Sequence, residues 1–173
     1  MPVDPTPGEL SADDLRQIYN LIANYTYAAD EPDPALFATL WARDAQYRYA
    51  RDLAGIGGLL SGREAIIEAF QGFWDRSNAF DRPVGMYGRH VCLNPRIDVS
   101  DGVVTGKTSM ILVFQELRGD SIGIGVKRSG LYEDRFAVED GRWVFAERRL
   151  AYDPPERPGV QLPVELYGPV TGH

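Results

Sequence analysis

Gly130-Leu131-Tyr132-Glu133-Asp134-Arg135-Phe136-Ala137-Val138-Glu139-Asp140-Gly141-Arg142-Trp143 is the stretch on which the fold turns. Asp-Gly is hairpin chemistry, because the tight turns that match strand twist need residues that tolerate positive φ. Here the pair divides two β-rich runs of about 121–138 and 142–152. Working back along the chain, runs of about 89–99 and 103–116 read the same way, with period 2, separated by Asp101-Gly102 and Arg118-Gly119-Asp120. A short strand is expected at Ala45–Ala50 before them.

Upstream the period is that of a helix. Ser11 is a good N-cap with Asp13 and Asp14 in the first turn, and Leu15, Ile18, Tyr19, Leu21, Ile22, Tyr25 and Ala29 fall on one stripe, which predicts a helix over roughly 12–29. Asp33-Pro34 repeats the start signal for a shorter helix carrying Leu36, Phe37, Leu40 and Trp41. Ser61-Gly62-Arg63-Glu64 has capping-box spacing before a third helix, whose apolar face is Ala65, Ile66, Ala69, Phe70 and Phe73, ending near Arg76. Helices first and an antiparallel meander afterwards is an α+β layout, with helices covering one face of a curved sheet.

A chain of 173 residues buries roughly 70% of its unfolded surface, so one domain needs no metal or disulfide staple. With 18 basic against 25 acidic residues the net charge is −7, which excludes the basic footprint of a nucleic-acid binder. The single cysteine, Cys92, cannot form an intrachain disulfide or anchor a cysteine zinc site, and points to a reducing compartment. Residues 1–10 read as a disordered or extended arm without an export signal, and no apolar run is long enough to span a bilayer. The expected location is the cytoplasm, with no membrane partner. No dinucleotide fingerprint, Walker lysine, nucleophile elbow or metal-ligand spacing is present, so no cofactor and no metal are expected.

His173 is C-terminal, which leaves His90 as the one internal imidazole, the side chain best suited to proton transfer near neutral pH. Asp30 is placed oddly. A carboxylate at the C-terminal end of a helix opposes the dipole, so something else must favour it, either the turn Asp30-Glu31-Pro32-Asp33 or an imidazole that it orients. Tyr25 lies on the buried stripe, where core packing is the simpler account, yet a buried phenol also wants a hydrogen-bond partner. Arg148 and Arg149 are neighbours in one strand, so at most one of them faces inward.

The order of elements and five local patterns resemble the SnoaL-like branch of the NTF2-like superfamily, from about Ser11 to Tyr152. The patterns are Ile18-Tyr19-x2-Ile22-x2-Tyr25-x2-Ala28-x-Asp30; Phe37-x2-Leu40-Trp41-x2-Asp44-Ala45; Gly62-Arg63-Glu64-Ala65-Ile66; His90-x3-Asn94-Pro95-x-Ile97; and Gly130-x-Tyr132-x-Asp134 followed by Asp140-Gly141-Arg142-Trp143. The resemblance implies a cone-shaped α+β barrel, a curved antiparallel sheet wrapped by about three N-terminal helices around a deep pocket. It also implies an Asp on the first helix and a His from the sheet acting as a base, with Tyr25 five residues before Asp30 and Arg148 or Arg149 assisting. Dehydratases, a dehydrochlorinase, isomerases and cyclases belong to this family, beside members that only bind or scaffold, such as the β subunits of ring-hydroxylating dioxygenases.

The resulting expectation is a cofactor-independent dehydratase-like lyase acting on a hydrophobic cyclic molecule of steroid, terpenoid or polyketide type. Its pocket would be walled by Phe37, Trp41, Tyr47, Tyr49, Met86, Tyr87, Phe114 and Tyr132. Isomerase or cyclase chemistry on the same dyad and a non-catalytic binding or accessory role are the alternatives. Apolar residues on the far side of the sheet, such as Val91 and Leu93, predict a homodimer or homotrimer. The domain is expected over 11–153, followed by an extended tail, 154–173, that lies along its own or a neighbouring subunit.

Overall fold

The computed structural model describes residues 10–49, 58–76, 87–118 and 120–152, the side chains of Tyr87 and of residues 116–118 excepted. The expected arm and tail, and Met86, lie outside these residues. The elements run α1 (Ala12–Asp30), α2 (Pro34–Thr39), β1 (Trp41–Tyr49), β2 (Leu59–Ser61), α3 (Arg63–Arg76), β3 (Tyr87–Ser100), β4 (Val103–Arg118), β5 (Ser121–Glu139) and β6 (Arg142–Tyr152). The six strands form one curved, unclosed sheet in the order β2-β1-β6-β5-β4-β3. All pairs are antiparallel except β1 with β6, so the expected purely antiparallel sheet acquires one parallel ladder.

Local chemistry sets these boundaries. Ser11 and Asp14 form a full capping box at the start of α1, and Asp14 also accepts Trp143 Nε1–H at 2.8 Å, which ties the helix to the β5–β6 hairpin. Asp101-Gly102 and Asp140-Gly141 take positive φ throughout, as their turns require. Gly106 is needed for packing, since a Cβ there would stand 2.8 Å from the Phe136 ring.

Three expectations are corrected. The second helix stops at Thr39, because Leu40 gives its carbonyl to Phe145 N–H and Trp41 already pairs with Phe145, so β1 starts four residues before Ala45. Ser61 caps nothing: it belongs to β2, opposite Gln46, and Gly62 at φ +92° turns the chain into α3. β2 itself is a three-residue edge strand, too short to show a period.

The helices cover the inner face of the sheet. Ile18, Leu21, Ile22, Tyr25, Ala28 and Ala29 of α1 meet Ile66, Phe70 and Trp74 of α3 and the inward side chains of the sheet, among them Met110, Tyr132, Phe136, Phe145 and Leu150. On β4 and β5 the inward set is even-numbered, and a bulge realigns it beyond Leu112: Leu112 pairs with Arg128 while Val113 pairs with Val126, leaving Lys127 as the extra residue. The other face carries Val91, Leu93, Ile122, Ile124 and Val126 exposed.

Candidate active site

Asp30 is the last residue of α1, in a final turn with no basic side chain. What offsets its conflict with the helix dipole is the edge strand β3. Oδ2 of Asp30 accepts the backbone N–H of His90 at 2.7 Å, and Oδ1 stands 2.5 Å from His90 Nδ1. β3 has β4 on one side only, so this N–H would otherwise face an open edge. One carboxylate therefore both seals the strand edge and fixes the imidazole. Arg89 and Glu31, the next residue on each side, form a second ion pair across the same junction. Trp74 Nε1–H donates to the Ala29 carbonyl at 3.2 Å, holding the end of α1 from α3.

Exposure separates the two partners. The Asp30 side chain keeps 6% of its surface and the His90 side chain 24%, so the imidazole is the part of the pair that a ligand can touch. In the tautomer whose Nδ1–H donates to the carboxylate, Nε2 carries the free lone pair.

A second polar cluster lies deeper. Arg148 is fully buried and donates through Nε and one terminal nitrogen to both oxygens of Asp134, at 2.7 and 2.8 Å. Its guanidinium lies 4.0 to 4.3 Å from the ring centres of Phe145, Tyr25 and Tyr132. Tyr25 shares a hydrogen bond of 3.1 Å with the Tyr47 hydroxyl. Burial pushes the phenols of Tyr25, Tyr47 and Tyr132 far above the ordinary range, and Arg148 pulls those of Tyr25 and Tyr132 the other way. Tyr49, beside Tyr47, is pushed up to about 12, again mainly by burial. Desolvation also raises the Asp134 carboxyl, although Arg148 opposes it. The second Nη of Arg148 and the Thr108 hydroxyl have no hydrogen-bond partner among the described residues.

Of the sequence candidates, Asp30 and His90 come together directly, and Tyr25 and Arg148 join the deeper cluster. Arg149 does not: it points to the outer face, half exposed, and pairs with Glu133 at 3.1 Å. Phe37, Trp41, Tyr47 and Tyr132 have no exposed surface and pack with Tyr25 as an aromatic core, whereas Tyr49 and Phe114 are half-buried. Tyr87 lies in β3 with its side chain outside the described set, as is Met86 altogether.

Sequence reasoning passed over Asp134 as a partner for Arg148. The signal was partial, since an acid that alternates with Tyr132 and Phe136 on one strand face must be paired, but which cation it meets is set by register. Cys92 was also missed. It is two residues beyond His90 on the same face, and burial pushes its thiol up to about 11. No group of side chains able to hold a metal ion occurs among the described residues.

Residues 11–149 match the SnoaL-like domain family, and the chain belongs to that family. Solved structures share the fold at low identity. A variant of Rv3472, a protein of unknown function from Mycobacterium tuberculosis, is 23% identical with a TM-score of 0.62, over 82% of this chain and 72% of that one. An NTF2-like protein with a cystatin-like fold from Novosphingobium aromaticivorans is 21% identical with a TM-score of 0.66, over 83% and 84%. A provisionally named scytalone dehydratase from the same organism is 22% identical with a TM-score of 0.59, over 81% and 84%. No curated protein matches the chain in sequence.

Proposed function

We propose that this protein is a dehydratase-like lyase that needs no cofactor and acts on a hydrophobic cyclic substrate of steroid, terpenoid or polyketide type. The observation that carries the reading is the Asp30–His90 pair, with its acid buried and its imidazole partly exposed. His90 Nε2 takes a proton from the carbon next to a carbonyl. The C–H electron pair becomes the new C=C bond, and the β-hydroxyl departs, leaving as water with a proton returned by the imidazolium. Asp30 stabilises the imidazolium that forms between the two transfers.

Tyr25 and Arg148 act together as the polar floor of the site. Arg148, sealed by Asp134 and three rings, is a positioning residue that acts through Tyr25, and the phenol is the group that would meet negative charge developing on the substrate carbonyl oxygen. Arg149 has no part in this reading. Isomerisation or cyclisation would begin with the same proton abstraction, so the product distinguishes them. A reducing, cytoplasmic setting and a second copy of the chain as partner belong to the same proposal. No helix among the described residues is long and apolar enough to cross a membrane.

The test is a panel of cyclic β-hydroxy ketones followed by the absorbance of the conjugated enone. On a substrate that turns over, His90→Ala and Asp30→Asn should each lower the rate about 10²–10⁴-fold. The double variant should be little worse than the poorer single one, because the two residues act as a unit. Near-native turnover by a folded His90→Ala protein overturns the mechanism.

A further inference from the structure

The bulge in β5 places two consecutive cations toward the inner face. Lys127 Nζ stands 4.6 Å over the Phe114 ring and the Arg128 guanidinium 5.0 Å over Tyr152, which itself packs against the core. Among the described residues no carboxylate pairs with either. Among the described residues, Asp30 is committed to His90, Asp134 to Arg148, and Glu133 to Lys107 and Arg149. Arg128 is half-buried, where a charge without a partner is costly unless a counter-charge arrives.

Register puts this pair in line with the dyad. His90 is opposite Leu112, and Leu112 is opposite Arg128, so the three share one row across β3, β4 and β5. Two strand spacings separate the Cα atoms of His90 and Arg128, roughly 10 Å. That is the length of a two-ring molecule. The next inward row has Gly88, Phe114 and Gly125, and a Cβ built on Gly125 would meet nothing within 4 Å, so there is open space beside the Phe114 ring.

We propose that Lys127 and Arg128 form an anion subsite, and that the substrate handled by Asp30 and His90 carries a carboxylate held there. The ring system of the substrate lies between the two, over Leu112 and against Phe114. A guanidinium fork matches a carboxylate in two parallel hydrogen bonds, and in a chain of net charge −7 such local cations are what would draw an anion in. This deepens the proposed function and rests on its placement of the substrate on the inner face of the sheet, but not on proton abstraction.

Calorimetric titration of the full chain with 2-naphthoate and with its neutral carboxamide tests it. The wild type should bind naphthoate about tenfold or more tightly than the amide, as one charge-assisted pair implies. Raising the salt should erode only the naphthoate affinity. Arg128→Gln should abolish the preference and leave amide binding unchanged, Arg128→Lys should retain part of it, and Lys127→Gln should weaken it. His90→Ala should keep the preference whatever happens to turnover, so loss of the catalytic reading and loss of the subsite are separate results. Equal affinities, a preference that survives Arg128→Gln, or no binding of naphthoate at millimolar concentration overturns the subsite. Should Arg128→Gln not fold, Arg128→Lys and Lys127→Gln carry the comparison.

Discussion

The carboxylate of Asp30 receives His90 twice, once through the ring at 2.5 Å and once through the backbone N–H at 2.7 Å. A residue that held the imidazole alone could let it turn; one that also holds the peptide behind it cannot. The pairing spans 60 positions of sequence and joins the end of the first helix to an edge strand.

The ring should therefore exist as one tautomer. In 15N-edited spectra of the neutral protein, Nδ1 of His90 is expected to carry the proton and Nε2 to be bare. Asp30→Asn keeps an acceptor for the backbone N–H but can turn an amide N–H toward the ring, which favours the opposite tautomer. The expected outcome is a folded variant with exchanged nitrogen signatures and lost activity. A wild-type ring protonated at Nε2 would remove the base assigned above.

Arg148 and Arg149 make a matched pair of tests, because they are neighbours with opposite surroundings. Arg148→Ala leaves the Asp134 carboxylate buried without its partner and should cost about 3–5 kcal/mol of stability in chemical denaturation. Arg149→Ala removes an exposed pair and should stay within about 0.5 kcal/mol. Replacing both buried partners, with Arg148→Met and Asp134→Leu together, should recover most of the loss. Equal effects of the two alanine variants would contradict the assignment of faces.

Much of this was legible because it is local. The stripe from Leu15 to Ala29 and the Asp-Gly turns state their elements in a few residues, and the strand from Arg142 to Tyr152 lies within a residue of where its period put it. Strand parity told that only one of Arg148 and Arg149 could face inward, but not which, since parity without register has no sign. Trp41 was misplaced for a related reason. Its helical spacing from Phe37 is real, yet the residue is claimed by a parallel pairing with Phe145, more than a hundred positions away. The candidate site divides the same way: Asp30 announced itself by opposing the helix dipole, whereas its contact with His90, the bulge at Lys127 and the commitment of Asp134 depend on tertiary register that no spacing encodes.

Acid should loosen the junction between α1 and the last hairpin. The Asp14 carboxyl is held below its ordinary value near 3.8 by the Ser11 hydroxyl first and by Trp143 second. A carboxyl whose pKa is lower folded than unfolded contributes stability that is present above the unfolded value and is lost as the pH falls through the folded one. Asp14→Asn should therefore melt below the wild type at pH 7, and the gap should narrow steadily below about pH 4. A gap that stays constant down to pH 2 would mean that the charge of Asp14 does not matter there.

The outer face of the sheet leads to the last expectation. Val91, Leu93, Ile122, Ile124 and Val126 are 37 to 68% exposed, and register makes the patch continuous: Val91 lies opposite Ile111 on β4, and Val113 lies opposite Val126 on β5. Soluble monomers rarely leave so broad an apolar surface wet. A three-strand patch of this kind suits an identical patch, since two sheets can pack face to face about 10 Å apart with their side chains interleaved. The arrangement would be two-fold, the same residues on both copies, which favours a dimer over a trimer. Light scattering should give twice the chain mass for the wild type. Ile124→Lys with Val126→Lys should give the single mass with its fold intact by circular dichroism, because the charges fall in the centre of the contact and on no inward side chain. A wild type that is monomeric at micromolar concentration would leave the patch without this partner, and a double variant that remains dimeric would move the interface to another face.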